Sequence, residues 1–461
     1  MSHMENKRFS CRRLYLTVLC TCAIFVMTLM NSQHSPLNMS EVAEESPSLR
    51  QPPVFAKFSD TGNFHPAEST PWIVIGDTTS NVSSNAVAVG PQVHRPSFQV
   101  QKTDSVTSIK TTLLPNLMRE TQPTPVPKCS PIQRIVFLKT HKTASTTMAS
   151  VFERYGYYRN LTFAVGKRHV LSFEYKFSRG NVMKFPKMKG KPFDMLTNHA
   201  RYSREEMNAV VPNATYITIL RKPEDQVDSA FGYFEMYRGM KIGSEPNPLE
   251  TFMDDPMKYY KGHKYHMWQL SRNGMLFDLG LDHKYDEDDQ KINEKIKELA
   301  GEFDLVLISE YLDESLLLMK KLLCWEYTDI VYLSSGIRSK SHRYDKDRDL
   351  RNKIRMWSHG DVLLYDHFNK TLWKKIRDYG PSFQTDLKYF RDLNKSVYDE
   401  CVNPSKWNKH DIREDKLILK NDSEWCRSVI RADMGYTKMI RKSMVDRFGP
   451  NGILGFINWL F

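Results

Sequence analysis

The stretch that most constrains the fold is Ile132–Tyr155, read as IQRIVFLKTHKTASTTMASVFERY. An apolar run, Ile135–Leu138, leads into the polar Lys139–Thr143, and a small-residue segment then opens a helical pattern with Met148, Val151 and Phe152 on one face. Strand, tight loop and helix follow one another. The loop offers what an anion needs: the lysines Lys139 and Lys142, hydroxyls at Thr143, Ser145, Thr146 and Thr147 around Ala144, and the free N–H groups of a helix start. No glycine lies between Ile132 and Tyr155, so the G-x-x-x-x-G-K-[ST] loop of nucleoside-triphosphate enzymes is excluded. The expected ligand is a phosphate-like group of another kind.

The start of the chain sets a topology. Leu14–Met30 is an uncharged run of 17 residues preceded by Lys7, Arg8, Arg12 and Arg13. As a helix it spans roughly 25 Å, the short end of a membrane crossing. The basic flank predicts a cytosolic tail over 1–13, a signal anchor over 14–30 and a luminal remainder. A cleaved signal peptide is the rival reading, and the run lacks an obvious small-x-small cleavage site. Seven N-x-[ST] triplets, at Asn38, Asn81, Asn160, Asn213, Asn369, Asn394 and Asn421, all lie beyond the run. Cys129, Cys324, Cys401 and Cys426 allow two disulfides in three connectivities, and no C-x-x-C spacing suggests zinc. The formal charge of +12 suits an anionic ligand, while the topology argues against nucleic acid.

From Asn31 to about Lys128 the chain is rich in Ser, Thr, Pro, Gln and Asn, with one apolar burst at Trp72–Ile75, and reads as a disordered stem. Residues 129–461 are expected to form one α/β domain. Phe193–Leu196 reads as a short strand leading to Asn198, His199, Arg201 and Tyr202. Ala214–Leu220 reads as a buried strand ended by Arg221, Lys222 and Pro223, with Glu224 and Asp225 suited to the helix start that follows. Arg221 at that strand end and Ser229, eight residues on, could hold one phosphate through a guanidinium and a hydroxyl. Phe303–Ser309 reads as another strand, Ser315–Trp325 as an apolar helix and Ile330–Leu333 as one more strand. Lys340–Arg355 reads as a solvated charged segment, and Val362–Tyr379 and Glu424–Met444 as helices. His263 and His266 at helical spacing are read as packing or substrate contact, since no carboxylate motif accompanies them.

The pair KTHKTASTT and LRKPEDQVDS resembles the two nucleotide-binding signatures of sulfotransferases that use 3′-phosphoadenosine 5′-phosphosulfate (PAPS). More narrowly, FLKTHKTAST, TNHARY, VPNATYITILR, LFDLGLD, LVLISEYLDESLLLMKKLLCWE and LYDHFNKTLW resemble the galactose 3-O-sulfotransferase family over Ile132–Trp373, with a Cys-containing helical tail at Trp425–Met439. The resemblance implies a P-loop-like three-layer sulfotransferase fold with a central parallel sheet, behind a transmembrane helix and stem, in the Golgi membrane with the catalytic domain luminal. It implies that Lys139, Lys142, Thr143, Ala144, Ser145, Thr146 and Thr147 hold the phosphosulfate and that Arg221 and Ser229 hold the 3′-phosphate.

The acceptor it implies is a galactose-terminated glycolipid or glycan of galactosylceramide type; the layout is compatible with a homodimer and needs no metal. Lys142 is placed at the leaving group, His199 as the base and His141 as a donor-side group. The alternatives are transfer to another hydroxyl, such as a uronic-acid 2-O position, and a metal-dependent glycosyltransferase, for which Asp286–Asp289 is the nearest acidic run.

Overall fold

The computed structural model describes residues 129–260, 265–333, 344–403 and 417–450. The expected anchor at 14–30, the stem at 31–128 and His263 lie outside these residues. Among the described residues no helix is long and apolar enough to cross a membrane.

Four parallel strands form the centre: β1 (Ile135–Leu138), β2 (Met195–Leu196), β3 (Thr215–Leu220) and β4 (Leu305–Ile308), in the order β2-β1-β3-β4. Ile135 pairs with Met195 and Thr215, and Ile217 with Leu305. All four residues of β1 are fully buried, which is why the strand reads as a continuous apolar run and not an alternation. From β1 the chain moves outward to β2, whereas from β3 it moves to β4 on the opposite side. The order therefore reverses between β1 and β3, and the carboxyl ends of those two strands form the crevice where open parallel sheets bind ligands.

Helix α1 (Ser145–Tyr157) follows β1, α2 (Arg204–Val210) follows β2, and α3 (Pro223–Tyr233) follows β3. Pro223 occupies the first turn of α3 with Glu224 and Asp225, as the sequence requires. Next come α4 (Gly274–Asp278), α5 (Asp289–Glu302), and, after β4, α6 (Leu312–Leu323), α7 (Arg348–Trp357), α8 (His359–Tyr379) and α9 (Phe383–Cys401). The last described elements are α10 (Glu424–Ile430) and α11 (Asp433–Phe448), and α11 lies along α1.

Two expectations need correction. Ile330–Leu333 is not a strand: a helical turn spans Tyr327–Ile330, and Val331 and Leu333 bury themselves against Leu393 and Val397 of α9. Its backbone is used elsewhere, since Tyr332 N–H donates to Asn394 Oδ1 (3.2 Å) and Arg154 Nη2 donates to Val331 O (2.5 Å). The predicted helix Glu424–Met444 is two helices, because Arg431 and Ala432 are extended, and the break makes Asp433 the first residue of α11. Two disulfides settle the open connectivity, Cys129–Cys324 and Cys401–Cys426. Beside the first, Trp325 stacks on Tyr155 with ring centroids 3.6 Å apart and donates to Ile132 O (3.1 Å).

Candidate active site

The loop between β1 and α1 turns without glycine. Lys142 and Ala144 both take left-handed backbone angles (φ 62° and 66°), a conformation that costs a non-glycine residue free energy. Side chains hold it there. Thr140 Oγ1 donates to Ile219 O of β3 (2.5 Å), Thr143 Oγ1 lies 2.7 Å from Thr140 Oγ1, and Ser145 Oγ donates to Thr140 O. Thr143 and Ser145 are buried and spend their hydroxyls on shaping the loop, whereas Lys142, Ala144 and Thr146 reach solvent and Thr147 is buried. No side chain caps α1, so its first-turn N–H groups face the loop mouth from a left-handed-then-helical backbone, the form of an anion-binding nest.

Arg221, at the end of β3, donates from Nη1 to Lys142 O (3.2 Å), so the two loops of the crevice meet. The nearby acids of α3 are engaged with other cations, Asp225 with Lys346 (2.9 Å) and Glu224 with Arg355 (3.7 Å). Lys346 and its neighbours hold Asp225 below the usual carboxylate range despite burial, which opposes this. Ser229 is buried on α3. The Lys142 ammonium sits 3.4 Å above the Tyr233 ring at the far end of that helix.

Two histidines face each other above the sheet. The His141 and His199 rings stack at 4.1 Å with 14° between their planes. His141 Nδ1 donates to Asp278 Oδ1 (2.9 Å) and its backbone N–H to Asp278 Oδ2 (2.7 Å). His199 Nδ1 donates to Lys139 O (3.0 Å). In both rings Nε2 is left as the acceptor. Burial, then the charge of Lys139 and the neighbouring His141 and His169, push the His199 imidazole well below its usual range, so it stays neutral. Asp278 ends α4, whose N–H groups at Met275 and Leu276 are held by Asp361 (3.0 and 2.9 Å). Burial raises the Asp361 carboxyl to about 7 against these two hydrogen bonds.

Lys139 is used differently from the expectation of a ligand contact. It is buried, and its ammonium is paired with Asp433 at the start of α11. Burial alone would raise the Asp433 carboxyl, but Lys139 and His169 outweigh it and hold the group well below the usual range. His169 Nε2 lies 3.5 Å from Asp433, and Asn198 Nδ2 reaches His169 Nδ1 (3.3 Å) and Thr437 Oγ1 (2.9 Å). Thr437 and Thr197 both donate to Glu153 Oε1 (3.2 and 3.1 Å). Burial, then the charge of Asp433, raise the Glu153 carboxyl far above its usual range, so it keeps its proton. One polar network thus runs from the phosphate-type loop through the TNHARY loop to α11.

Against this geometry, the comparison with known families is decisive: a galactose-3-O-sulfotransferase family model matches residues 96–439. The chain belongs to the galactose-3-O-sulfotransferase family. Among curated relatives, galactosylceramide sulfotransferase of Bos taurus is 37% identical over 279 residues and that of Mus musculus 34% identical over 279 residues. Each match covers 59% of this chain and 65% of the relative, so the chain spans just under two thirds of the length of these relatives. Galactose-3-O-sulfotransferase 2 of Sus scrofa is 34% identical, with 59% of this chain and 69% of that protein covered. A sulfotransferase crystal structure from Alicyclobacillus acidocaldarius aligns with 51% of this chain and 96% of its own at 12% identity and a TM-score of 0.30, too slight to carry the fold.

Within this family member, the structure brings together Lys139, His141, Lys142, His199 and Arg221, which the sequence singled out. It adds Asp278, Asp361, His169, Glu153 and Asp433, which the sequence did not. Asp278 stands inside LFDLGLD, a segment that bears the family likeness without announcing a role. Asp433 lies 294 residues from Lys139 and leaves no local pattern. The acidic run weighed for a metal site is occupied by structural work: Asp286 accepts from His283 (2.9 Å) and Asn273 (3.0 Å), and Asp288 caps α5 through Lys291 N–H (3.0 Å). His266 is exposed and lies edge-on to Phe234.

Proposed function

We propose that the chain transfers a sulfuryl group from PAPS to the 3-hydroxyl of a galactose residue in a glycolipid or glycan, galactosylceramide being the type acceptor, on a three-layer sulfotransferase fold. The observation that carries this reading is the stacked His141–His199 pair at the mouth of an uncapped, left-handed helix start, in a member of this family.

The loop fits a phosphosulfate: the N–H groups of 144–147 with Lys142 and Thr146 would hold it, and Arg221 with Ser229 would hold the 3′-phosphate. Lys142 stabilises the charge that develops on the leaving oxygen, and no step calls on a metal. His141 takes the proton of the acceptor hydroxyl at Nε2. Asp278 fixes Nδ1–H, leaves Nε2 free to accept, and offsets the charge of the imidazolium that forms. This reverses the roles expected from the sequence, in which His199 is the base. Lys139 and His169 oppose a positive charge on His199, and it serves better as the neutral ring that orients its partner. Lys139, matched by Asp433, positions the loop.

The same proposal places the chain in the Golgi membrane as a single-pass type II protein anchored through 14–30. Two disulfides fit an oxidising lumen, and Asn160, Asn213 and Asn421 are exposed as glycan acceptors must be. The test is transfer of labelled sulfate from PAPS to galactosylceramide, lactose-type glycans and glycosaminoglycans, followed by linkage analysis. Label at the galactose 3-position is expected. Label on a uronic acid, or none on any galactoside, overturns the reading.

A further inference from the structure

Helix α4 (Gly274–Asp278) has only five residues, a length at which a helix does not hold itself, so its place in the fold is set by what grips its two ends. At the N-terminal end the grip comes from α8. Asp361, fully buried, accepts the Met275 N–H at Oδ2 (3.0 Å) and the Leu276 N–H at Oδ1 (2.9 Å), and gives its own N–H to Asn273 Oδ1 (3.0 Å). Asn273, left-handed at φ 43°, does not cap α4 with its side chain and donates from Nδ2 to Asp286 Oδ1 (3.0 Å). A Cβ on Gly360 would stand 2.7 Å from Leu276 Cδ1 and 3.1 Å from Asn273 Oδ1, so glycine is what lets the start of α8 come this close.

Roughly 7 Å along the helix, its other end carries the histidine pair. Asp278 binds His141 with both oxygens, at the ring Nδ1 (2.9 Å) and at the backbone N–H (2.7 Å). The last carbonyls of α4 hold the loop of His199 two and three residues on: Phe277 O accepts from Arg201 Nε (2.9 Å) and Asp278 O from the Tyr202 N–H (2.9 Å). A guanidinium is well placed at a helix C-terminus, and that of Arg201 also lies 4.0 Å over the Phe277 ring. One end of α4 thus supports both members of the stacked pair, and Asp361 anchors the other.

We propose that Asp361 is a positioning residue for the proton transfer: by pinning the first turn of α4 it sets where Asp278 presents His141 and where the His199 loop rests against it. Its action runs through the helix. This rests on the proposed reading of His141 as the base and deepens it, because a base misplaced by about 1 Å loses as much as about 10²-fold in rate. A carboxylate that only supported the fold would give a different set of measurements.

Two experiments on the full chain separate these roles. In hydrogen exchange followed by mass spectrometry, Asp361→Asn and Asp361→Ala are expected to speed exchange at the His141 and Tyr202 amides, both bonded to Asp278, while Ile135–Leu138 and Thr215–Leu220 keep their protection. Faster exchange throughout the domain, at Met275 and Leu276 alone, or nowhere, overturns the proposal. In sulfate transfer from PAPS to galactosylceramide, Asp361→Ala is expected to lower kcat on the order of 10²-fold, with the acceptor KM and the affinity for 3′,5′-adenosine bisphosphate retained. Asp361→Asn, which keeps one acceptor oxygen, is expected to recover part of that loss. Should Asp361→Ala not fold, Asp361→Asn carries both measurements. Placed in His141→Ala, either substitution is expected to cost nothing further, because no base is left to misplace. An equal fold-loss in both backgrounds, or a loss confined to KM, rejects the positioning role. If wild type transfers no sulfate, the sulfotransferase reading fails by itself, and the exchange pattern still decides whether Asp361 positions His141.

Discussion

Two stretches on either side of α1, the loop that precedes it and the excursion that follows it, are built on opposite principles. On the proposed donor side, residues 139–147 are largely buried, bend without glycine, and satisfy the Thr140, Thr143 and Ser145 hydroxyls and one ammonium internally, the last through Asp433. Beyond the sheet edge, residues 167–191 carry eight exposed lysines and arginines against one acid. A rigid, saturated loop suits one invariant ligand, because its geometry is fixed before binding. A solvated basic rim suits a family of acceptors, because exposed charges are worth little each and adapt readily. The contrast separates a loop whose shape is set before any ligand arrives from a surface whose charges stay adaptable.

The sharpest way to break that contrast is at the histidines. His141→Ala is expected to lower kcat by about 10²–10⁴-fold with donor binding retained, and Asp278→Asn to lower it in the same direction. His199→Ala should cost less; a larger loss there, measured with donor affinity in parallel, would restore His199 as the base.

Next comes Asp433→Asn, which leaves the Lys139 ammonium buried without its counter-charge and is expected to destabilise the fold by about 3–5 kcal/mol. The folded Asp433 carboxyl titrates below its unfolded value, so its stabilisation is present above about pH 4 and is lost as pH falls through the folded pKa. Denaturant titrations of wild type and variant should therefore converge on acidification. A gap that persists unchanged at low pH would mean that Asp433 acts through packing.

Lys142→Ala should reduce kcat by about 10²–10³-fold with little change in melting temperature, since this lysine is partly exposed and its proposed role is in the transition state. The smallest effect is expected from Glu153→Gln. Glu153 is as buried as Asp433 and lies in the same network, yet it keeps its proton, so the amide should cost less than about 1 kcal/mol. Equal losses from Glu153→Gln and Asp433→Asn would show that the network does not distinguish its two acids.

What could be read in advance follows from the range of each interaction. β1 and β4 are continuous apolar runs, β3 is rich in β-branched residues, and Pro223 with its acidic neighbours marks the start of α3, so local pattern suffices for them. β2 keeps only Met195 and Leu196 in the sheet, too short for periodicity to bound it. Ile330–Leu333 has strand-like composition, but burial against α9 decides its form, and tertiary packing overrides propensity there. Lys139, His141 and Lys142 cluster within one loop and stand out by composition. Asp278 rides on a five-residue helix held by Asp361, 83 residues further on, and Asp433 arrives from the end of the domain. Such partners are paired by the fold alone, and no local spacing encodes them.

The Cys129–Cys324 bond has a topological meaning. Every strand from Ile135 to Ile308 lies within the segment it closes, so the four-stranded sheet is carried on a covalent ring closed between cysteines 195 positions apart. A single proteolytic cut anywhere along that ring opens it but releases no fragment until a reductant is added. The pieces that carry Lys142 and Arg221 remain one molecule through a nick in the exposed 167–191 flank, which lies between them.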